Sequence, residues 1–234
     1  MNRIVKSLAL GATTLVALIA GAPPAAAEII EVGAIQPAVT PSCPSPCIAI
    51  SRTTGYQAQV GTTRGIAYAP KSGRVVAWTI GLGSPTQAQQ RFFTRGFGGK
   101  SRARITVIRR ERRVGRRVIA HSPDFELTPY FGSTVQFPLE QTIKVEKGDL
   151  IALTVPTWAP ALAVGLGKDS SWRASRPNRP RSECLDTETQ TAQTTLGRLT
   201  QFACFYRTAR LTYTATLITD PAPTPPKAAP SGRR

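Results

Sequence analysis

The chain has 234 residues, 30 of them Lys or Arg against 13 Asp or Glu, giving a formal charge of +17. A charge this large draws polyanions by its long-range field. Four cysteines and one histidine leave little for a metal centre built from soft ligands.

Residues 1–27 have the three parts of a secretory leader. Arg3 and Lys6 form the basic start, Leu8 to Ile19 the apolar stretch, and Ala25-Ala26-Ala27 the small residues at the cut, placed after Ala27. The apolar stretch is shorter than the roughly 20 residues of a spanning helix, so no membrane span is expected. Two of the 30 basic residues lie in this leader; the remaining 28 against 13 acids leave +15 on the 207 residues after the cut. That localises the protein outside the cell or in the cell envelope, where an even cysteine count favours disulfides. Cys43, Cys47, Cys184 and Cys204 allow three pairings. Cys43–Cys47 with Cys184–Cys204 is preferred because each bridge then closes a local segment, the alternative being a staple from the first pair across to the later one.

Residues 28–46 carry few periodic apolar positions and read as a mobile lead-in. From Cys47, short runs such as Cys47-Ile48-Ala49-Ile50 and Tyr56-Gln57-Ala58-Gln59-Val60 alternate with Thr53-Thr54-Gly55, the pattern of strands and tight turns. Val75 to Ile80 is a central strand with Trp78 in the core. One helix is predicted: Ser84 as N-cap, Pro85 at the first position, Gln87 to Arg95 as its body and Gly96 as a left-handed stop. Phe92 and Phe93 would face the sheet.

Ile105 to Ile108 and Val114 to Ala120 make a hairpin whose tip is Arg109-Arg110-Glu111-Arg112-Arg113. A second pair of strands, Thr134 to Pro138 and Ile143 to Glu146, precedes the turn Lys147-Gly148-Asp149 and the strand Leu150 to Val155. Gly165 to Thr195 lacks apolar periodicity and reads as a long excursion. The last strand, Leu211 to Ile218, alternates. Residues 220–234 hold five prolines and read as a disordered tail. Nine or ten short strands with one helix predict an all-β domain over 47–219, a single two-sheet sandwich of jelly-roll type.

No Gly-x-Ser-x-Gly elbow, phosphate-cradling glycine loop or nucleotide-binding β-α-β unit occurs, so neither a catalytic residue nor a cofactor is assigned, and the metal sites number none. His121-Ser122-Pro123-Asp124 reads as an ordinary turn. Two features carry a binding function. Arg109, Arg110, Arg112 and Arg113 can pair with carboxylate or phosphate polymers in bidentate fashion. Specific nucleic-acid recognition is not expected, for want of stacking aromatics beside them. Trp158 and Trp172, with Asp169, Ser170 and Arg173, are the residue types of a carbohydrate-stacking face, although both indoles could instead close the core.

The stretches Tyr130 to Pro138, Gly148 to Trp158, Ser171 to Pro177 and Thr191 to Thr195 resemble a group of secreted β-sandwich proteins of high-GC bacteria. The resemblance implies an exported sandwich and no particular activity. Val145-Glu146-Lys147-Gly148-Asp149-Leu150 is also similar to a turn in lectin-like jelly rolls. The leading expectation is a non-enzymatic protein that binds polysaccharide or an anionic cell-wall polymer. Its rivals are a self-associating envelope protein, and a polysaccharide hydrolase or lyase with an acid pair among Asp124, Asp149 and Asp169.

Overall fold

The computed structural model describes residues 26–35, 38–111, 115–175, 184 and 191–221; the predicted leader up to residue 25 and the predicted tail from 222 fall outside them. In chain order the elements are β1 (Ile29–Gly33), β2 (Ile50–Val60), β3 (Thr63–Arg64), β4 (Gly73–Gly81), α1 (Gln87–Gly96), β5 (Arg102–Arg110), β6 (Arg116–His121) and β7 (Phe125–Glu126). After a 3-10 turn come β8 (Thr134–Val145), β9 (Leu150–Ala159), β10 (Leu162–Val164), β11 (Ser170–Ala174), β12 (Leu199–Thr200), β13 (Cys204–Arg207), β14 (Ala209–Leu211) and β15 (Tyr213–Thr219). The smaller sheet runs β1-β15-β4-β8; the larger, curled one runs β12-β6-β5-β9-β2-β11-β13, with β3 beside β2 and β7 beside β5. This is the all-β sandwich the patterning predicts.

Alternation decides which side chains meet between the sheets. Ile105 and Val107 of β5, and Ile151, Leu153 and Val155 of β9, join Val75, Trp78 and Ile80 of β4 and Ala215 and Leu217 of β15 in one core. The opposite face of β5 and β9 is covered as well. Ile108, Leu150 and Ala152 pack with Tyr56, Ala67 and Phe202 in a second cluster. Burial on both faces is why Leu150 to Val155 reads as a continuous apolar run. Both predicted disulfides are present, Cys43–Cys47 and Cys184–Cys204.

Six local expectations are revised. The lead-in contributes β1, an edge strand paired along its length with β15 from Ile29↔Ile218 to Gly33↔Thr214. The helix N-cap is Thr86, not Ser84: its hydroxyl accepts from Gln89 N while Gln89 Oε1 accepts from Thr86 N, a capping box. Gly96 is the last helical residue, and the left-handed glycines that follow are Gly98 and Gly99. Phe93 is buried, whereas Phe92 is 66% exposed, because adjacent helical residues point about 100° apart.

The two strands predicted over 134–146 are one strand, β8. Pro138 does not break it because β8 is the edge of its sheet and needs no donor on that side. Between Ala77↔Pro138 and Val75↔Ile143, the four residues Leu139–Thr142 lie opposite the single residue Val76, a bulge larger than the usual two-against-one. Finally, the excursion after Gly165 contains β11, which pairs with both β2 and β13.

Candidate ligand-binding site

The predicted stacking face is corrected. Trp158 is 1% exposed; it lies against Phe93 with ring centroids 5.0 Å apart, and its Nε1 donates to the Gly99 carbonyl at 3.0 Å. Trp172 is 4% exposed and stacks on Tyr206 at 4.5 Å. Both indoles close the core and neither offers a face to a sugar. Ser170 is buried and Asp169 exposed. Arg173 is half-buried, donating to the Phe202 carbonyl at 3.1 Å and lying over the Phe205 ring. These residues therefore form no common exposed surface.

Carboxylates meet many of the cations on and beside the predicted basic tip. Lys100 pairs with Glu126 and Arg104 with Asp124. Arg109 donates from Nε and Nη2 to the two oxygens of Asp149, each at 2.8 Å, and pairs with Glu146 at 3.0 Å. Hydrogen bonding to Asp149 holds the Arg109 guanidinium above its ordinary range, against the opposing effect of burial. Arg117 pairs with Glu111. Arg116 sits over the rings of Tyr56, Tyr68 and Phe202 and donates to Tyr68 Oη at 2.6 Å. Arg110 is exposed at the strand end; Arg112 and Arg113 lie outside the described residues.

The three acids weighed for hydrolysis are engaged separately, Asp124 by Arg104 and Asp149 by Arg109, while Asp169 stands in the β10–β11 connection, where its charge acts on Arg210. Burial is the larger influence on Arg210 and lowers its guanidinium below the ordinary range.

A cleft of about 780 Å³ opens elsewhere, between β6 and β8. Its cause is topological. β8 is the edge of the smaller sheet, and backbone pairing on the outer edge of β6 runs from Arg116 to Val118, so beyond Val118 that edge has no strand partner among the described residues. One wall is Ile119, Ala120, His121, Ser122, Pro123 and Phe125. The other is the β8 bulge and its exit, from Pro138 through Lys144, with Arg74 beside it. Leu139 and Ile143 are buried and Ile119 and Phe125 half-buried, so the floor is apolar. Arg74, Glu140, Gln141 and Lys144 are exposed, so the rim is polar.

Register places the cations. Arg74 of β4 lies opposite Lys144 of β8. Arg74 Nε donates to Thr142 Oγ1 at 2.5 Å and one Nη to the Thr142 carbonyl at 3.2 Å, which ties the guanidinium to the bulge and leaves further N–H donors toward solvent. His121 Nδ1 is 3.1 Å from the Ser122 carbonyl and 3.4 Å from Arg104 Nη1. Both contacts are made by Nδ1, and the carbonyl can only accept, so that contact is a hydrogen bond when Nδ1 carries a proton. Ser122 Oγ is already spent, accepting from Ile105 N at 3.1 Å and donating to the Pro123 carbonyl at 3.0 Å, so His121 and Ser122 do not form a nucleophile and base. Glu140 is the one carboxylate among the described lining residues.

Nothing in the sequence singles out Arg74, Lys144 or the bulge. Pro138 is the nearest signal, and it reads as a strand end. No protein-family model, curated protein or solved structure matches the chain.

Proposed function

We propose that this is a non-enzymatic binding protein of the extracellular space or cell envelope, and that its ligand is an acidic saccharide segment held in the cleft between β6 and β8. The observation that carries the reading is the pairing of Arg74 with Lys144 on the rim of a cleft with an apolar floor. Two adjacent cations match a carboxylated sugar, and Gln141, Thr142 and His121 supply hydrogen-bonding groups for hydroxyls. Ile119, Leu139 and Ile143 offer the apolar surface that the C–H faces of a sugar ring require. The volume falls in the range of small-ligand sites. A glycosidase of the common kind needs two facing carboxylates, and the described lining supplies Glu140 alone. Two disulfides fit an oxidising compartment.

Calorimetric titration with a uronic-acid hexasaccharide and its neutral counterpart tests this. The acidic oligomer should bind more tightly, and more weakly at high salt. Arg74→Ala/Lys144→Ala should reduce its affinity by at least about tenfold, from the loss of charge-assisted bonds. Equal affinity for the two oligomers, or a double variant that binds like the parent, would overturn the proposal.

A further inference from the structure

The two rim cations belong to a longer row. Ile29 of β1 lies opposite Ile218 of β15, Ile218 opposite Arg74 of β4, and Arg74 opposite Lys144 of β8. Residues at one register position of a sheet share a face. Leu217, Val75 and Val145, the next residues along three of these strands, are fully buried, so the row stands on the outer face of the smaller sheet. Strands about 4.8 Å apart make it roughly 14 Å long. Ile218 is 37% exposed and Ile29, on the edge strand, 75%. The cleft therefore opens, past Arg74 and Lys144, onto an exposed apolar step.

Carboxylates flank the cation pair at both ends. Glu140 stands on the cleft side, exposed in the bulge. On the sheet side Asp220 is exposed two residues beyond Ile218, where its N–H donates to the Ser72 carbonyl at 2.9 Å. Neither makes an ion pair among the described residues. Glu28, beside Ile29, is held by Lys71 at 2.8 Å, so that pair adds no net charge to the row. One anionic sugar is thus compensated at Arg74 and Lys144, while a second carboxylate next to it on either side meets a like charge. The isoleucines offer the neighbouring sugar an apolar contact instead. An acetamido methyl is the group on a neutral sugar that gains most from such a contact.

We infer that the ligand is an alternating saccharide, in which each uronic acid is followed by a neutral N-acetylated sugar. Arg74 and Lys144 bind the carboxylate, and the acetamido methyl of the next residue covers Ile218 and Ile29. The inference rests on the saccharide reading of the cleft and narrows its ligand class. An all-acid chain is held at the cleft alone, because its adjacent carboxylates face Glu140 and Asp220.

The probes are a hexasaccharide alternating glucuronate with N-acetylglucosamine and an all-glucuronate hexasaccharide. Each is titrated calorimetrically into the full exported chain at about 0.15 M salt, where long-range attraction is screened. The alternating oligomer should bind about fivefold more tightly despite half the charge, the gain from covering one methyl. It alone should shift the amides of Ile218 and Ile29. Ile29→Thr/Ile218→Thr keeps a β-branched residue in both strands; it should remove the preference and leave the all-glucuronate affinity unchanged. Glu140→Gln/Asp220→Asn should strengthen the all-glucuronate oligomer by about threefold. Thermal melts and circular dichroism establish that each variant is folded. All-glucuronate binding as tight as the alternating oligomer's, a preference that survives Ile29→Thr/Ile218→Thr, or no gain in Glu140→Gln/Asp220→Asn would overturn the inference. The saccharide reading stands in those cases if Arg74→Ala/Lys144→Ala still weakens binding. Binding of neither oligomer, or binding indifferent to Arg74→Ala/Lys144→Ala, would overturn both.

Discussion

Arg109 and Asp149 join in a two-bonded ion pair that ties the middle of the larger sheet to the corner where the chain leaves the smaller one. Asp149 is 2% exposed and Arg109 38% exposed on their side chains. The same carboxylate accepts from Glu146 N at 2.8 Å, closing the turn after β8. Arg109 belongs to the run that reads in sequence as an electrostatic face, yet its guanidinium is spent on the fold. Replacing it by Met leaves a buried carboxylate with one backbone donor. Partial solvent access at Arg109 moderates the cost, so destabilisation of about 1–3 kcal/mol is expected in chemical denaturation. Asp149→Asn should cost a similar amount, and the double variant less than the sum of the two singles. Additive effects would show that the pair contributes no coupling.

A second prediction concerns three threonines. Thr154 Oγ1 lies 2.8 Å from Thr54 Oγ1 and 2.7 Å from Thr106 Oγ1, and all three side chains are fully buried. Thr154→Val removes the central hydroxyl and should cost about 1–3 kcal/mol, because it strips one partner from each neighbour. Adding Thr106→Val to that variant should cost little more, since no stranded hydroxyl remains there. Denaturation midpoints of the two variants check this. A large further loss in the double variant would contradict it.

Stability should also decline in alkali. Tyr56 is pushed up to about 12 from an ordinary 10.0, mainly by burial and next by Tyr68, while Arg116 and Arg173 pull the other way. Tyr213 is raised too, by burial first; its hydroxyl donates to the Ile151 carbonyl at 2.8 Å. Both folded values lie above the unfolded one, so the folded state holds these protons longer than the unfolded chain does. The Tyr56 contribution is fully present below pH 10 and is lost as pH rises through about 12. The loss amounts to about 2–3 kcal/mol for Tyr56. Phenolate absorbance followed with circular dichroism should show Tyr56 and Tyr213 ionising only as the protein unfolds. Ionisation of all five tyrosines with the fold intact would refute it.

The strands that pack on both faces are legible in sequence because burial writes itself as an apolar run: Leu150 to Val155 is the plainest case. β1 is not legible, since an edge strand with one buried face needs only Val32 and a partner to lie against. β8 is misread because Pro138 is a breaker in general and harmless on a sheet edge. Trp158 and Trp172 show the sharper limit. A tryptophan among polar neighbours has the composition of a sugar site and of a lid over a core alike, and only the position of Phe93 and Tyr206 separates the two. The cleft is invisible for a related reason. It arises where β12 stops short and β8 bulges, and both are properties of pairing between distant segments rather than of any local run.

The most direct test of the saccharide proposal is amide chemical-shift mapping of the isotope-labelled protein titrated with a uronic-acid hexasaccharide. The predicted result is saturable shifts confined to residues 119–123, 138–144 and Arg74, absent with the neutral oligomer. Shifts centred on Arg110 and the β5–β6 hairpin end, or scattered over the surface, would contradict it and return the binding to diffuse charge.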